Sequence, residues 1–220
     1  MPTQTKENYL KAIYFLEQKN KKVSITDLGK EMGVSKPTVN NMIKKLTNHG
    51  WINYEKYKPI QLTEKGDLEA ALIIRKHRLT EMFLVQLMGF GWEEVHLIAE
   101  EMEHLKTENL FDRMDELLGY PTTDPHGSPI PDKKGEYNRK SYKTLSSIST
   151  GQKAIFKAVG DSSILLLNYL NEKSITLGTK FTILKIEKFD QTLIVNYGKH
   201  KNVSLSNEVC KRLLVEEIQI

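Results

Sequence analysis

Residues 24–50 constrain the fold of this chain more than any other stretch. Two short segments with apolar periodicity, Asp27 to about Met32 and Ser35 to about Thr47, flank the turn Gly33-Val34-Ser35. Thr26 is placed to cap the first segment and Ser35 the second. Pro37 falls in the first turn of the second, where a missing N–H carries no penalty. Asn48-His49-Gly50 ends it. Two short helices joined by a three-residue turn containing Gly form a helix-turn-helix. Upstream, Tyr9, Leu10, Ile13, Tyr14 and Leu16 recur at helical spacing and predict a helix from about 6 to 18 with Thr5 as its cap, followed by a polar break at Asn20-Lys21-Lys22. Downstream, Trp51–Glu55 and Ile60–Thr63 alternate as strands around Lys56-Tyr57-Lys58-Pro59. These elements predict a winged helix.

In such a unit the second capped helix enters the major groove. Its exposed candidates for DNA contact are Ser35, Lys36, Thr38, Asn40, Asn41, Lys44 and Lys45. Asn suits adenine edges, and Ser and Thr suit bases or phosphates. Lys44, Lys45 and the hairpin residues Lys56 and Lys58 suit phosphate, which positions a protein without reading sequence. Residues 1–72 carry a net charge of +4, as a polyanion partner requires. A three-helix packing unit with solvated charges is the plainer alternative.

The charge reverses to −6 over residues 73–126 and returns to +6 over 127–220. Thr63-Glu64-Lys65-Gly66 opens a long helical stretch to about Met88, on which His77 and Glu81 stand one turn apart. Trp92 to about Lys106 predicts another helix, with Glu100, Glu103 and His104 on one face and His96 one turn earlier. Two carboxylates and two imidazoles on one stripe suit a divalent first-row metal. Val95, Ile98, Met102 and Leu105 line the opposite side, so a solvated polar face would give the same pattern. Asn109 to Leu118 predicts one more helix. Leu79, Phe83, Leu84, Leu87 and Ile98 supply apolar surface suited to a dimer interface.

Pro121, Pro125, Pro129 and Pro131 forbid continuous helix over 119–131, and residues 132–144 are polar without apolar periodicity, as in a linker. From Leu145 the texture is β-type: residues 181–186, 193–197, 203–205 and 213–218 read as short strands, with a helical turn or two at Ile164 to Asn171. The single cysteine, Cys210, excludes an intrachain disulfide framework. No apolar run is long enough for a membrane span, and Met1-Pro2-Thr3-Gln4-Thr5-Lys6 leads into a charged amphipathic segment rather than a secretory signal, so a cytoplasmic protein is expected. H-E-x-x-H, nucleotide-loop, Ser/His/Asp and CxxC patterns are all missing from the sequence. A metallohydrolase would need an open coordination position and a positioned base, so an enzyme is not expected.

Four stretches in this order resemble the diphtheria-toxin-repressor (DtxR/MntR) family of metal-dependent transcriptional repressors: Glu7-Asn8-Tyr9-Leu10-Lys11-Ala12-Ile13-Tyr14, Arg75-Lys76-His77-Arg78-Leu79, Val95-His96 through Glu103-His104, and Asp124-Pro125-His126-Gly127-Ser128-Pro129-Ile130-Pro131. The likeness covers essentially the whole chain. It implies a mainly α fold with a small β part: a winged helix-turn-helix over 1–72, a helical metal-binding and dimerisation domain over 73–126, a linker over 127–144 and an SH3-like (FeoA-type) β-barrel over 145–220. It implies a regulatory metal site with a first-helix ligand at Asn8 and further ligands at Glu100, Glu103 and His104. A second site falls on His77, Glu81 and His96.

In the family's manganese-sensing branch a first-helix carboxylate joins a binuclear cluster with His77, and that position is Lys11, a cation. Asn8 stands where the iron-sensing branch has Met and the manganese-sensing branch has Asp. Glu100 stands where the iron-sensing branch has Cys, and oxygen in place of sulfur favours Mn²⁺. The family's β-domain also lends ligands, at positions that fall on Ser163 and Leu166, with Asp161 close by. The implied function is a homodimeric repressor of metal-homeostasis genes. Mn²⁺ or Fe²⁺ acts as co-repressor, and the target is an inverted-repeat operator in double-stranded DNA. A metal-independent winged-helix regulator is the alternative.

Overall fold

The chain forms two compact units, one from Met1–Thr80, Ala99–Tyr120 and Ile130–Tyr137, the other from Glu81–Ile98, Pro121–Pro129 and Asn138–Ile220. The computed structural model describes residues 3–20, 22–137 and 140–218; Lys21 of the polar break and residues 138 and 139 of the expected linker lie outside the described residues.

The first unit begins with α1 (Gln4–Asn20), α2 (Ile25–Glu31) and α3 (Lys36–Asn48). The N–H groups of Lys6 and Glu7 reach the Thr3 carbonyl at 2.8 and 3.2 Å, so Thr5 lies inside α1 and does not cap it. The cap of α2 is likewise Ser24 and not Thr26. Ser24 Oγ accepts from the Asp27 N–H at 3.1 Å while the Asp27 carboxylate accepts from the Ser24 N–H at 3.3 Å. This capping box needs an acid three residues after the cap; Asp27 supplies it for Ser24, whereas Thr26 would have Gly29. Gly33, at φ +63, turns the chain out of α2, and the Val34 N–H closes the turn on the Gly29 carbonyl at 3.0 Å. Ser35 caps α3 as expected, with Pro37 in its first turn.

The wing is shorter than its alternation predicts. β1 (Ile52–Asn53) pairs antiparallel with β2 (Gln61–Leu62), and Val23 adds one bridge to Ile60. The Lys58 N–H closes a turn on the Glu55 carbonyl at 3.0 Å, with Tyr57 at φ +69, and this ends the pairing early. Leu10 and Ile13 of α1 pack with Leu28, Val39, Ile43, Leu46, Ile52 and Ile60 in one buried core. Next comes α4 (Glu64–Met88), whose first turn presses on the wing; a Cβ at Gly66 would meet the Trp51 carbonyl oxygen at 1.9 Å. α5 (Val95–Met102) is shorter than the expected 92–106 helix, and Glu103 and His104 occupy the turn that follows it. The Glu103 N–H still reaches the Ala99 carbonyl at 2.9 Å, which keeps that turn on the helical path. α6 (Glu108–Leu117) is tied to α4 by a buried ion pair, Arg75 Nη2 to Asp115 Oδ2 at 2.5 Å, and Arg75 Nη1 donates to the Pro131 carbonyl at 2.8 Å.

The second unit is built on an antiparallel sheet: β3 (Lys143–Thr144), β4 (Lys153–Val159), β5 (Lys180–Ile186), β6 (Leu193–Tyr197), β7 (His200–Leu205) and β8 (Leu213–Ile218), in the spatial order β3-β8-β4-β5-β6-β7. Among the described residues β3 and β7 are not paired with each other, so the SH3-like domain is an open sheet rather than a closed barrel. Strand β4 escapes the sequence reading because its lysines and alanines are depleted in strands. Its alternation nonetheless buries Ala154, Phe156 and Ala158. Leu166, Leu167 and Leu170 of α7 (Ile164–Glu172) share that core with Phe181, Ile183 and Val195, and the short α8 (Asn207–Cys210) precedes β8.

The proline-rich segment of this unit is ordered by a local turn. Thr123 bridges Pro129, and Asp124 Oδ1 accepts from the N–H groups of His126 and Ser128 at 2.8 and 2.9 Å. Among the described residues no helix is long and apolar enough to cross a membrane.

Candidate metal centre

In the first unit, α1, α4 and the end of α5 bring titratable side chains together. His77 Nδ1 lies 2.7 Å from Glu103 Oε2 and 3.9 Å from Glu100 Oε2. Ligand atoms of His77, Glu100 and Glu103 all lie within 4.8 Å of one another. The Glu103 side chain is fully buried, at 0% exposure. Lys11, on α1, donates to Glu103 Oε1 at 2.7 Å and to Glu100 Oε2 at 2.9 Å.

His104 Nδ1 lies 2.6 Å from Glu7 Oε2. A carboxylate only accepts, so Nδ1 carries the proton of this contact, and in the neutral ring the lone pair is then on Nε2. That Nε2 is buried, has no hydrogen-bond partner, and stands 3.5 Å from Glu103 Oε1. Asn8 Oδ1, one turn before Lys11 on α1, is also a buried oxygen without a partner. Buried polar atoms are normally satisfied. An unpaired imidazole nitrogen beside Glu103 and an unpaired amide oxygen one turn from Lys11 on α1 are, with the carboxylate pair, donors of the kind that fit a divalent first-row cation.

The second unit holds a separate group. Glu81, Asp124 and His126 are all buried, and their ligand atoms lie within 4.8 Å of one another. His126 Nδ1 stands 3.5 Å from Glu81 Oε2, and the more exposed His96 has its Nδ1 3.4 Å from Glu81 Oε1. His126 Nε2 donates to the Trp92 carbonyl at 2.8 Å, with the two rings stacked at 6.0 Å. Burial pushes the His126 imidazole down. The neighbouring Glu81 and Asp124 carboxylates more than offset it, so its pKa is raised above the usual histidine value. His96 and Asp161 line one cavity of about 710 Å³, together with Ser163, whose N–H donates to Asp161 Oδ1 at 3.0 Å; Leu166 is instead buried in the sheet core.

His96 and Glu100 share α5, one turn apart as the sequence predicts, and His96 falls in the second unit. The sequence groups His77 with Glu81 and His96, and the His77 Nδ1 in addition lies 2.7 Å from Glu103 Oε2. Sequence reasoning missed Asp124 and His126 as donors. The signal was their Asp-Pro-His spacing, which the sequence reading used as a family stretch and a proline-rich break but not as a ligand pair.

All seven recognition-helix candidates, Ser35, Lys36, Thr38, Asn40, Asn41, Lys44 and Lys45, are exposed, because α3 buries Val39, Ile43 and Leu46 on its other face. The Ser35 and Thr38 hydroxyls pair with each other at 2.9 Å. Lys56 and Lys58 are exposed on the wing; Lys58 Nζ pairs with Glu55 at 2.6 Å, and Lys56 Nζ lies 5.0 Å from the Tyr57 ring centroid.

Three family descriptions match consecutive parts of the chain. They are the iron-dependent repressor N-terminal DNA-binding domain over residues 1–60, the iron-dependent repressor metal-binding and dimerisation domain over 63–132, and the FeoA domain over 143–217. The iron-dependent repressor IdeR of Mycobacterium bovis is 37% identical over 127 residues, covering 58% of this chain and 55% of that protein; the match thus spans about half the length of this curated relative. The HTH-type transcriptional regulator MntR of Geobacillus thermodenitrificans is 32% identical over 120 residues, covering 54% of this chain and 84% of that protein. Among solved structures, a manganese-dependent transcriptional repressor in complex with manganese is 30% identical, covers 97% of this chain and 100% of its own, and has a TM-score of 0.86.

Proposed function

This chain belongs to the diphtheria-toxin-repressor (DtxR/MntR) family of metal-dependent transcriptional repressors, and on that premise we propose that it is a Mn²⁺- or Fe²⁺-activated, DNA-binding repressor of metal-homeostasis genes and not an enzyme. It acts as a cytoplasmic homodimer on an inverted-repeat operator. Residues 1–72 serve as the winged-helix reader, 73–126 as the metal-binding and dimerisation domain, 127–144 as the linker and 145–220 as the SH3-like domain. Asn8, His77, Glu100, Glu103 and His104 form the regulatory centre. Glu81, His96, Asp124 and His126 form a second donor group.

The observation that carries this reading is the buried convergence of α1 on Glu100 and Glu103. α1 is at once a wall of that centre and, through Leu10 and Ile13, part of the winged-helix core. Side chains that fix α1 against the end of α5 therefore fix the unit that carries α3. A bound divalent cation would supply a Lewis-acidic charge that draws oxygen and imidazole donors to one point. His104 presents Nε2 because Glu7 holds its other nitrogen, and Asn8 adds a neutral oxygen. In a dimer, holding both reading units in one posture sets the spacing of two α3 helices to successive major grooves. This is a population shift between arrangements of the same fold.

Fluorescence anisotropy on the promoter of its own or a metal-transporter gene tests this, with Mn²⁺, Fe²⁺, Zn²⁺ and no metal. Tight binding only with metal is the expected result. Equal binding in all conditions would leave the metal-independent regulator as the better reading.

A further inference from the structure

We propose that Lys11 is a built-in counter-cation of the regulatory centre, which holds Glu100 and Glu103 together in the metal-free protein and is displaced when a divalent cation binds them. The inference rests on the metal-centre reading above and concerns a side chain that cannot itself be a ligand.

The Lys11 ammonium stands among the carboxylate oxygens a metal would use. It lies 2.7 and 2.9 Å from the two oxygens of Glu103 and 2.9 Å from Glu100 Oε2. Only 13% of the Lys11 side chain and none of the Glu103 side chain is exposed. A buried carboxylate without a counter-charge is strongly disfavoured, so this ammonium makes the metal-free centre tenable. A divalent ion on the same oxygens would stand beside that ammonium. Like charges so close in a buried site repel, and each carboxylate lone pair serves one cation at a time. Lysine has a flexible four-carbon stem and a strongly hydrated head, so it leaves more readily than a planar, forked guanidinium.

Activation is then an exchange of cations on α1 rather than the filling of a void. The free energy of metal binding is reduced by what Lys11 already provides, and the metal concentration that triggers the switch rises accordingly. The same contact also holds α1 to Glu100 and Glu103 before metal arrives.

The test uses three readouts without DNA: metal-free melting, Mn²⁺ affinity by competition with a fluorescent chelator, and acylation of Lys11 followed by mass spectrometry with and without Mn²⁺. Lys11→Met is expected to melt several degrees lower when metal-free and to bind Mn²⁺ about tenfold more tightly. Lys11→Arg, which keeps the charge, is expected to stay near wild type in melting and to bind Mn²⁺ no more tightly. In wild type, Lys11 should acylate slowly without metal and several-fold faster at saturating Mn²⁺. The proposal is overturned if Lys11→Met binds Mn²⁺ no better than wild type, or if Lys11 stays equally protected when metal is bound. Should Lys11→Met fail to fold, labelling of wild type decides alone. Failure of wild type to bind Mn²⁺ at all is a different result, which overturns the metal-centre reading.

Discussion

His104 Nδ1 and Glu7 Oε2 stand 2.6 Å apart although 97 positions separate them in the chain. The contact fixes the ring orientation and the tautomer of a candidate ligand, the work that partners of metal-bound imidazoles do. Glu7→Ala should therefore weaken Mn²⁺ binding about 10–100-fold with little change in secondary structure. Chelator competition measures this; an unchanged affinity would separate Glu7 from the centre.

Glu103 distinguishes charge from fold. Glu103→Gln keeps the shape of the side chain, so it should abolish metal-dependent operator binding while the helical circular dichroism persists. Glu103→Ala also leaves Lys11 and His77 without their buried acceptor, and should cost about 3 kcal/mol of stability in addition. Anisotropy with Mn²⁺ and thermal melting, run on both variants, test the pair of expectations.

On α3, phosphate and base contacts should respond differently. Lys44→Ala should weaken binding to all sequences alike and reduce the salt slope by about one unit. Asn40→Ala or Asn41→Ala should relax base preference at one position, at about 1–3 kcal/mol for a lost base contact. Selection from a randomised operator pool reads out both effects. Unchanged preference in both Asn variants would remove them from the reading set.

Metal choice should follow the donor atoms. Asn8, Glu100 and Glu103 offer oxygen and His77 and His104 nitrogen, so Mn²⁺ should activate fully. Glu100→Cys should weaken the response to Mn²⁺ and improve that to anaerobic Fe²⁺. Parallel titrations of the two proteins with the two ions check it; a wild type that answers Fe²⁺ and ignores Mn²⁺ would contradict the role given to Glu100.

Cys210 is buried against the sheet core, and burial pushes its thiol up from 9.0 to about 12. Because the folded state holds the proton more tightly, this contribution to stability is intact below pH 9. It is lost as pH rises from 9 toward 12, where the unfolded chain ionises first. Native protein at pH 8 should react negligibly with a thiol reagent and react fully in urea. Cys210→Ala should flatten the alkaline loss of stability. Fast labelling of the folded protein would mean that the thiol is accessible.

What was legible in the sequence was what is decided locally. Ser35, Pro37 and the glycine turn mark α3 because caps and turns are set within a few residues. Even there Ser24 displaced Thr26, since the decisive partner was the acid three positions on. The centre was half legible: Glu100, Glu103 and His104 share a helical path that periodicity reveals. The contacts of Lys11 and Glu7 could not be read, because they join residues 89 to 97 positions apart. Asp124 and His126 were hidden by their prolines, which exclude helix but not a turn closed by an Asp side chain.

The strand order has a consequence for how the protein is made. β8, the last strand of the sheet, lies between β3 and β4, and its register with β4 joins Lys153 to Ile218. A ribosome delivers all three segments of the first unit, the last of which ends at residue 137, well before it delivers 213–218. The winged helix and its regulatory centre can therefore form while β3 and β4 still lack the partner between them. Pairings this distant in sequence close slowly. During that interval two strand edges stand open to other chains, the kind of exposed edge that β8 covers once it pairs.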